Sequence, residues 1–178
     1  IEEFVTGRPS ETHDETVLAT LMFTDIVGST EMAAAMGDRR WVDLLERHHA
    51  IVRRELAHFR GVELDDAGDG FLASFDGPAR AVRCAGAIAE AVRHLGIEVR
   101  AGVHTGECEV IGSKLGGVTV HIGARIAALA SPGEVLVSGT VKDLVAGSSL
   151  QFEPRGTRAL KGLPGLWSIH AASQPRPN

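Results

Sequence analysis

Leu21-Met22-Phe23-Thr24-Asp25-Ile26-Val27-Gly28-Ser29-Thr30 is the stretch whose reading decides the fold. It starts as an apolar run of strand type and meets an acid at Asp25. It then offers Gly28, with Ser29 and Thr30 as cap candidates, as the start of a helix. A second stretch repeats the form: Ala67-Gly68-Asp69-Gly70 is a tight turn leading into the apolar run Phe71-Leu72-Ala73-Ser74-Phe75. Each acid stands at the tip of a predicted strand, where buried backbone meets solvent. Aspartate beside glycine is favoured in any tight turn, so either acid alone says little. Side by side they say more. Hard cations of the Mg²⁺ type take one or two carboxylates and complete their shell with phosphate oxygens. A pair of such ions stabilises both the attacking and the leaving oxygen of an in-line displacement.

Outward from these two stretches, the pattern predicts a strand over 17–24, a short helix over 28–36 and a long amphipathic helix over 39–59. In the long helix Trp41, Leu44, Leu45, His48, Ile51, Val52 and Leu56 recur at helical spacing. A hairpin follows, 62–64 with 71–75, around the Gly68-Asp69-Gly70 turn. A second helix covers 78–95, with Pro78 in its first turn. Segments 97–104 and 107–111 read as paired strands with Thr105-Gly106 near the turn, and His104 beside it as a support. A third helix spans 118–130, a strand 134–138, a short helix 140–146, and final strands 151–160 and 166–171. The polar stretch 1–16 reads as a linker or arm, 17–172 as one domain, and 173–178 as a disordered tail. Hairpins mixed with helices predict an α+β layer with a mixed sheet covered by helices. A doubly wound parallel sheet would need a crossover between every strand pair.

A chain of 178 residues with 44% hydrophobic and 23% charged content has the composition of one globular domain. The net charge of −5 speaks against a nonspecific nucleic-acid binder, which presents a basic face. No apolar stretch approaches membrane-spanning length. The two cysteines, Cys84 and Cys108, form no CxxC pair, so a reducing, cytoplasmic setting without disulfides is expected. A chain that starts at Ile1 rather than Met reads as a piece of something longer, with a regulatory or second catalytic domain elsewhere.

The run Phe23-Thr24-Asp25-Ile26-Val27-Gly28-Ser29-Thr30, then Gly68-Asp69-Gly70-Phe71, then Arg100-Ala101-Gly102-Val103-His104-Thr105-Gly106 occur in that order. Together they resemble the catalytic domain of class III nucleotidyl cyclases, over about 17–171. The resemblance implies a ferredoxin-like core with additions, a mixed or antiparallel sheet flanked by helices, and a head-to-tail homodimer with active sites at its interface. It implies two divalent cations, Mg²⁺ or Mn²⁺, and conversion of ATP to 3′,5′-cyclic AMP and pyrophosphate. By position, Asp25 and Asp69 look like the metal carboxylates, and the backbone carbonyl of Ile26 like a further ligand. Arg100 and Lys161 look like triphosphate contacts, and Arg125 like the arginine that meets charge on the α-phosphate. Such cations act where negative charge builds. The backbone N–H groups of Gly28, Ser29 and Thr30, opening a helix, can hold phosphate oxygens.

Three positions depart from the family. Asp65 stands where adenylyl cyclases have a purine-selecting lysine, Lys114 where its partner is usually an aspartate, and His121 where an asparagine orients the ribose. Adenine offers an acceptor at N1 and a donor at N6. Guanine offers a donor at N1, which suits Asp65, and an acceptor at O6, which suits Lys114. The exchanged pair therefore fits guanine at least as well as adenine. Another reading has Asp65 and Lys114 paired with each other, leaving the base unread and selectivity loose. His121 can still donate one hydrogen bond in place of the asparagine. The leading reading is an adenylyl cyclase; the alternatives are a guanylyl or unselective cyclase, and a degenerate cyclase fold that regulates by binding nucleotide or a partner. The pair His48-His49 has no metal-ligand spacing and reads as structural or surface groups.

Overall fold

The computed structural model describes residues 15–173. The elements are β1 (Thr16–Ile26), α1 (Ser29–Met36), α2 (Asp38–Phe59), β2 (Val62–Asp66), β3 (Gly70–Phe75), α3 (Pro78–Ala91) and β4 (Val99–Ile111). They continue with β5 (Lys114–Gly116), α4 (Val118–Leu129), β6 (Val135–Ser138), α5 (Gly139–Leu144), β7 (Gln151–Ala159) and β8 (Leu166–Ser173). One eight-stranded sheet runs β2-β3-β1-β4-β6-β8-β7, with β5 hydrogen-bonded to β4. Its β2-β3-β1-β4 part, crossed by α2 and α3, is the antiparallel split βαβ arrangement of a ferredoxin-like core. β4 and β6 are parallel, which makes the whole sheet mixed.

Two apolar layers hold the sheet. On one face α2 and α3 bring Leu44, Ile51, Val52, Leu56, Val82 and Ile88 onto Met22, Ile26, Phe71, Val99 and Val103. On the other face α4 brings Ile122 and Ile126 onto Leu136, Ile169 and Ala171. α4 lies close to β4: a side chain added at Gly102 would meet the Ala127 backbone nitrogen at 2.4 Å.

The paired strands expected at 97–104 and 107–111 are a single strand. β4 runs unbroken through Thr105 and Gly106, which pair with Thr20 and Ala19 of β1. Gly106 does not make a turn. A Cβ there would meet Thr119 Oγ1 at 2.6 Å, so this glycine lets the start of α4 sit against the strand. The chain reverses after Ile111 instead, into β5, which sequence periodicity did not reveal. The predicted helix 78–95 is α3 followed by a 3₁₀ turn at Val92–Leu95. Thr16 and Ser173 lie in β1 and β8 rather than in an arm and a tail, while 1–14 and 174–178 lie outside the described residues. Neither Ser29 nor Thr30 caps α1; its N-cap is Gly28, with no side-chain cap bond.

His104 is buried and supports no turn. Its Nδ1 is 2.7 Å from Ser138 Oγ, which also accepts from the Val141 N–H, so the serine proton is free to donate to the ring. Burial pushes the pKa of His104 down to about 4, and that of the fully buried His48 likewise down to about 4. Both rings are neutral in the fold, while in the unfolded chain they take up a proton near 6.5. Between pH 4 and 6.5 the unfolded state therefore binds more protons. Stability is complete above 6.5 and falls with pH, by at most about 1.4 kcal/mol per pH unit for each ring. The urea midpoint is expected to drop between pH 7 and 5, and His104→Gln to make that drop shallower. Equal slopes for the two proteins would refute the assignment.

Candidate active site

The two acids meet because of strand register. Asp25 is the cross-strand partner of Gly70 in β3 and of Arg100 in β4. The turn before β3 folds back on itself, with the Asp69 N–H donating to the Ala67 carbonyl at 2.9 Å and the Ala67 N–H to the Gly70 carbonyl at 3.0 Å. Gly68 takes φ 73°, a backbone region that glycine enters without strain. The Ile26 N–H then donates to the Asp69 carbonyl at 3.2 Å, tying the end of β1 to the turn. Asp25, Ile26 and Asp69, far apart in sequence, become one backbone-bonded unit.

Cross-strand partners share a face of the sheet. Phe23, Leu72 and Asp65 form one row across β1, β3 and β2. Asp65 joins this row through the register shift between Glu63 and Asp65. The next row holds Arg100, Asp25 and Gly70. Above these rows lies a cavity of about 420 Å³ walled by Phe23, Leu72 and Val120, with Asp25, Asp65 and Asp69 at its polar side. A second cavity of about 510 Å³ adjoins the same turn and is lined by Ser29, Thr30, Trp41, Leu45, Gly68 and Asp69. Asp69 faces both, and the N-terminus of α1 opens onto the second.

Arg100 holds Asp25 in a two-point pair, Nε to Oδ1 at 2.8 Å and Nη2 to Oδ2 at 3.2 Å, and donates from Nη1 to the Ala128 carbonyl at 3.0 Å. The hydrogen bonds that Arg100 donates to Asp25 raise the arginine pKa, so the guanidinium is charged throughout. These bonds use three of the five guanidinium N–H groups and one lone pair on each carboxylate oxygen. Both partners therefore keep capacity for a further ligand. Nearby, Arg53 binds Glu63 and Asp66 and holds the Glu63 carboxyl below its ordinary range. Asp65 and Asp69 are in no ion pair among the described residues.

Among the described residues no group of three or more His, Cys, Asp or Glu is arranged to cage a metal ion. The donor set that does exist, two carboxylates beside an open helix N-terminus, fits a divalent cation that arrives with a phosphate-bearing ligand.

The remaining sequence-predicted residues are elsewhere. His121 and Arg125 sit one turn apart on the exposed side of α4, whose other side is buried. Lys161 is exposed just after β7. Lys114 opens β5 opposite Ile111, eleven residues along β4 from Arg100. None of the four lines either cavity. Among the described residues no ion pair joins Asp65 to Lys114. Sequence reasoning missed the Arg100 pair, the apolar wall of Phe23 and Leu72, and Val120. For the wall the signal was present: Phe23 and Leu72 alternate with residues that face the α2–α3 layer.

The sequence from residue 10 to 171 matches the model of the adenylate and guanylate cyclase catalytic domain. This chain belongs to that family. The putative adenylate cyclase 3 of Rhizobium meliloti is 30% identical over 175 residues, covering 90% of this chain and 30% of the relative. Another Rhizobium meliloti protein, uncharacterised, is 30% identical over 178 residues and is covered to 17% of its length. The cyclase domain thus spans under a third of these relatives. Among solved structures, the adenylyl cyclase CyaB from P. aeruginosa shares the fold with a TM-score of 0.84 at 22% identity, over 91% of this chain and 97% of that one. The guanylyl cyclase Cya2 matches with a TM-score of 0.81 at 25% identity, over 89% and 93%. No helix among the described residues is long and apolar enough to cross a membrane.

Proposed function

We propose that this cyclase domain converts ATP to 3′,5′-cyclic AMP and pyrophosphate at a site completed by a second copy of the chain. The observation that carries the proposal is the bonded unit of Asp25, Ile26 and Asp69 beside the open N-terminus of α1. Divalent cations, Mg²⁺ or Mn²⁺, held by Asp25, Asp69 and the Ile26 carbonyl, would lower the pKa of the ribose 3′-hydroxyl and neutralise the triphosphate. The backbone N–H groups of Gly28, Ser29 and Thr30 receive phosphate oxygens at the helix start. Arg100 orients Asp25 and offers its two spare N–H groups to the same anion. The row of Phe23 and Leu72 supplies an apolar bed for the purine, with Asp65 at its edge.

The second copy brings Lys114, His121, Arg125 and Lys161. Arg125 meets the charge that grows on the α-phosphate, Lys161 binds the polyphosphate, and His121 donates to the ribose. Two buried free thiols suit a reducing, cytoplasmic setting.

ATP is supported by the adenylate cyclase among the relatives. GTP is a second reading, favoured by Asp65: an acceptor-only carboxylate at the edge of the base bed suits the guanine N1–H. Purified domain with Mn²⁺, offered ATP and GTP separately and in competition, decides between them. The double variant Asp65→Lys with Lys114→Asp is expected to move the kcat/KM ratio toward ATP by about tenfold or more, since unpaired polar groups against the wrong base are costly. An unmoved ratio would show that neither residue faces the purine. No product from either nucleotide at high protein concentration would favour a regulatory module.

A further inference from the structure

The pair His48-His49 of α2 takes no part in the chemistry above. His48 lies among the apolar residues of α2, fully buried, with neither ring nitrogen bonded to a protein group. Its ring centroid is 5.7 Å from that of Phe71, the cross-strand partner of Thr24. His49 sits edge-on to the same Phe71 ring at 5.1 Å, and its Nε2 is hydrogen-bonded to the Gly68 carbonyl oxygen. A carbonyl only accepts, so Nε2 carries the proton.

The other bonds of this turn join Ala67, Asp69 and Gly70 to one another or to Ile26. Among the described residues, the His49 bond is the side-chain hydrogen bond that ties the turn to α2. It acts at Gly68, the residue of the turn with a left-handed φ and no side chain to restrain it. The peptide between Gly68 and Asp69 sets the direction in which the Asp69 side chain leaves the backbone.

We propose that His49 is a positioning residue: by holding the Gly68 carbonyl on α2 it sets the direction in which Asp69 presents its carboxylate to a divalent cation. The proposal rests on the reading of Asp69 as a cation ligand. Groups that orient a metal ligand without touching the metal change its affinity. The effect belongs on cation binding, not on the choice of base or on the stability of a half-exposed helix position.

The test compares wild type, His49→Ala and His49→Gln. The glutamine amide offers an N–H at about the reach of Nε2. Mn²⁺ binding is titrated by electron paramagnetic resonance in the presence of 3′-deoxy-ATP or 3′-deoxy-GTP, which cannot cyclise. The Mn²⁺ concentration for half-maximal product formation is measured alongside. His49→Ala should weaken both by about tenfold, within the range that outer-shell groups contribute. His49→Gln should recover most of the loss, with melting midpoints unchanged. Wild-type Mn²⁺ binding in His49→Ala, or a glutamine no better than alanine, overturns the proposal. Should the alanine variant unfold, His49→Asn serves as its counterpart, because the shorter amide does not reach Gly68; equal binding by the Asn and Gln variants overturns it equally. Failure of the cyclase reading looks different. The wild-type chain itself would then hold no Mn²⁺ with nucleotide, and the positioning role would fall with it.

Discussion

Asp25→Asn is expected to lower cyclic nucleotide formation by about 10³-fold or more, with the fold intact. The amide keeps the shape and one acceptor for Arg100 but loses the charge that a divalent cation needs. Stability should change little. The Asp25–Arg100 pair is about one-third exposed on each side, and exposed ion pairs contribute on the order of 0–1 kcal/mol. Arg100 also keeps its bond to the Ala128 carbonyl. The measurement is product formation under saturating Mn²⁺ together with a thermal melt. Product formation at the wild-type rate would remove Asp25 from the metal site. A melt that collapses along with activity would make its role structural instead.

Mixing two dead chains is expected to restore activity. On the proposed reading, in which Arg125 meets transition-state charge, Arg125→Ala should cost about 10²–10³-fold by itself. Asp25 lines a cavity that neither Arg125 nor Lys114 reaches in the same chain. In a two-fold dimer each site would draw Asp25 from one copy and Arg125 from the other. A heterodimer of Asp25→Asn with Arg125→Ala then keeps one whole site and carries both lesions in the other. With random pairing, an equal mixture should regain about one quarter of wild-type activity. The assay needs only the two purified variants and their mixture after subunit exchange. A mixture no more active than the mean of its parts would mean that each chain builds its own site.

The acids were legible because their signals are local. An apolar run that ends on Asp25, and a Gly-Asp-Gly turn between two strand-like runs, place carboxylates at strand ends whatever the rest of the chain does. The long helix α2 was legible for the same reason, since Leu44, His48, Ile51, Val52 and Leu56 recur on one face and all five are buried. Gly106 misled because glycine carries two meanings. Within a strand pattern it signals a turn or a close approach, and only the position of Thr119 thirteen residues later tells which. His49 reads in the sequence as a structural or surface group because its partner, the Gly68 carbonyl, has no side-chain signature.

By itself the sequence determined the α+β class, most strand and helix positions, the two acids, and the family to which the chain belongs. These follow from residue order over windows of ten or so positions, where periodicity and turn chemistry act. The tertiary structure decided what stands beside what. Register set Arg100 against Asp25, 75 residues away in sequence. A register shift in β2 put Asp65 on the row of Phe23 and Leu72. The physical reason is that side-chain direction in a sheet alternates with every residue, so a one-residue change in pairing exchanges the two faces. Local sequence proposes strands, but only the sum of long-range packing selects the register, and the register builds the site.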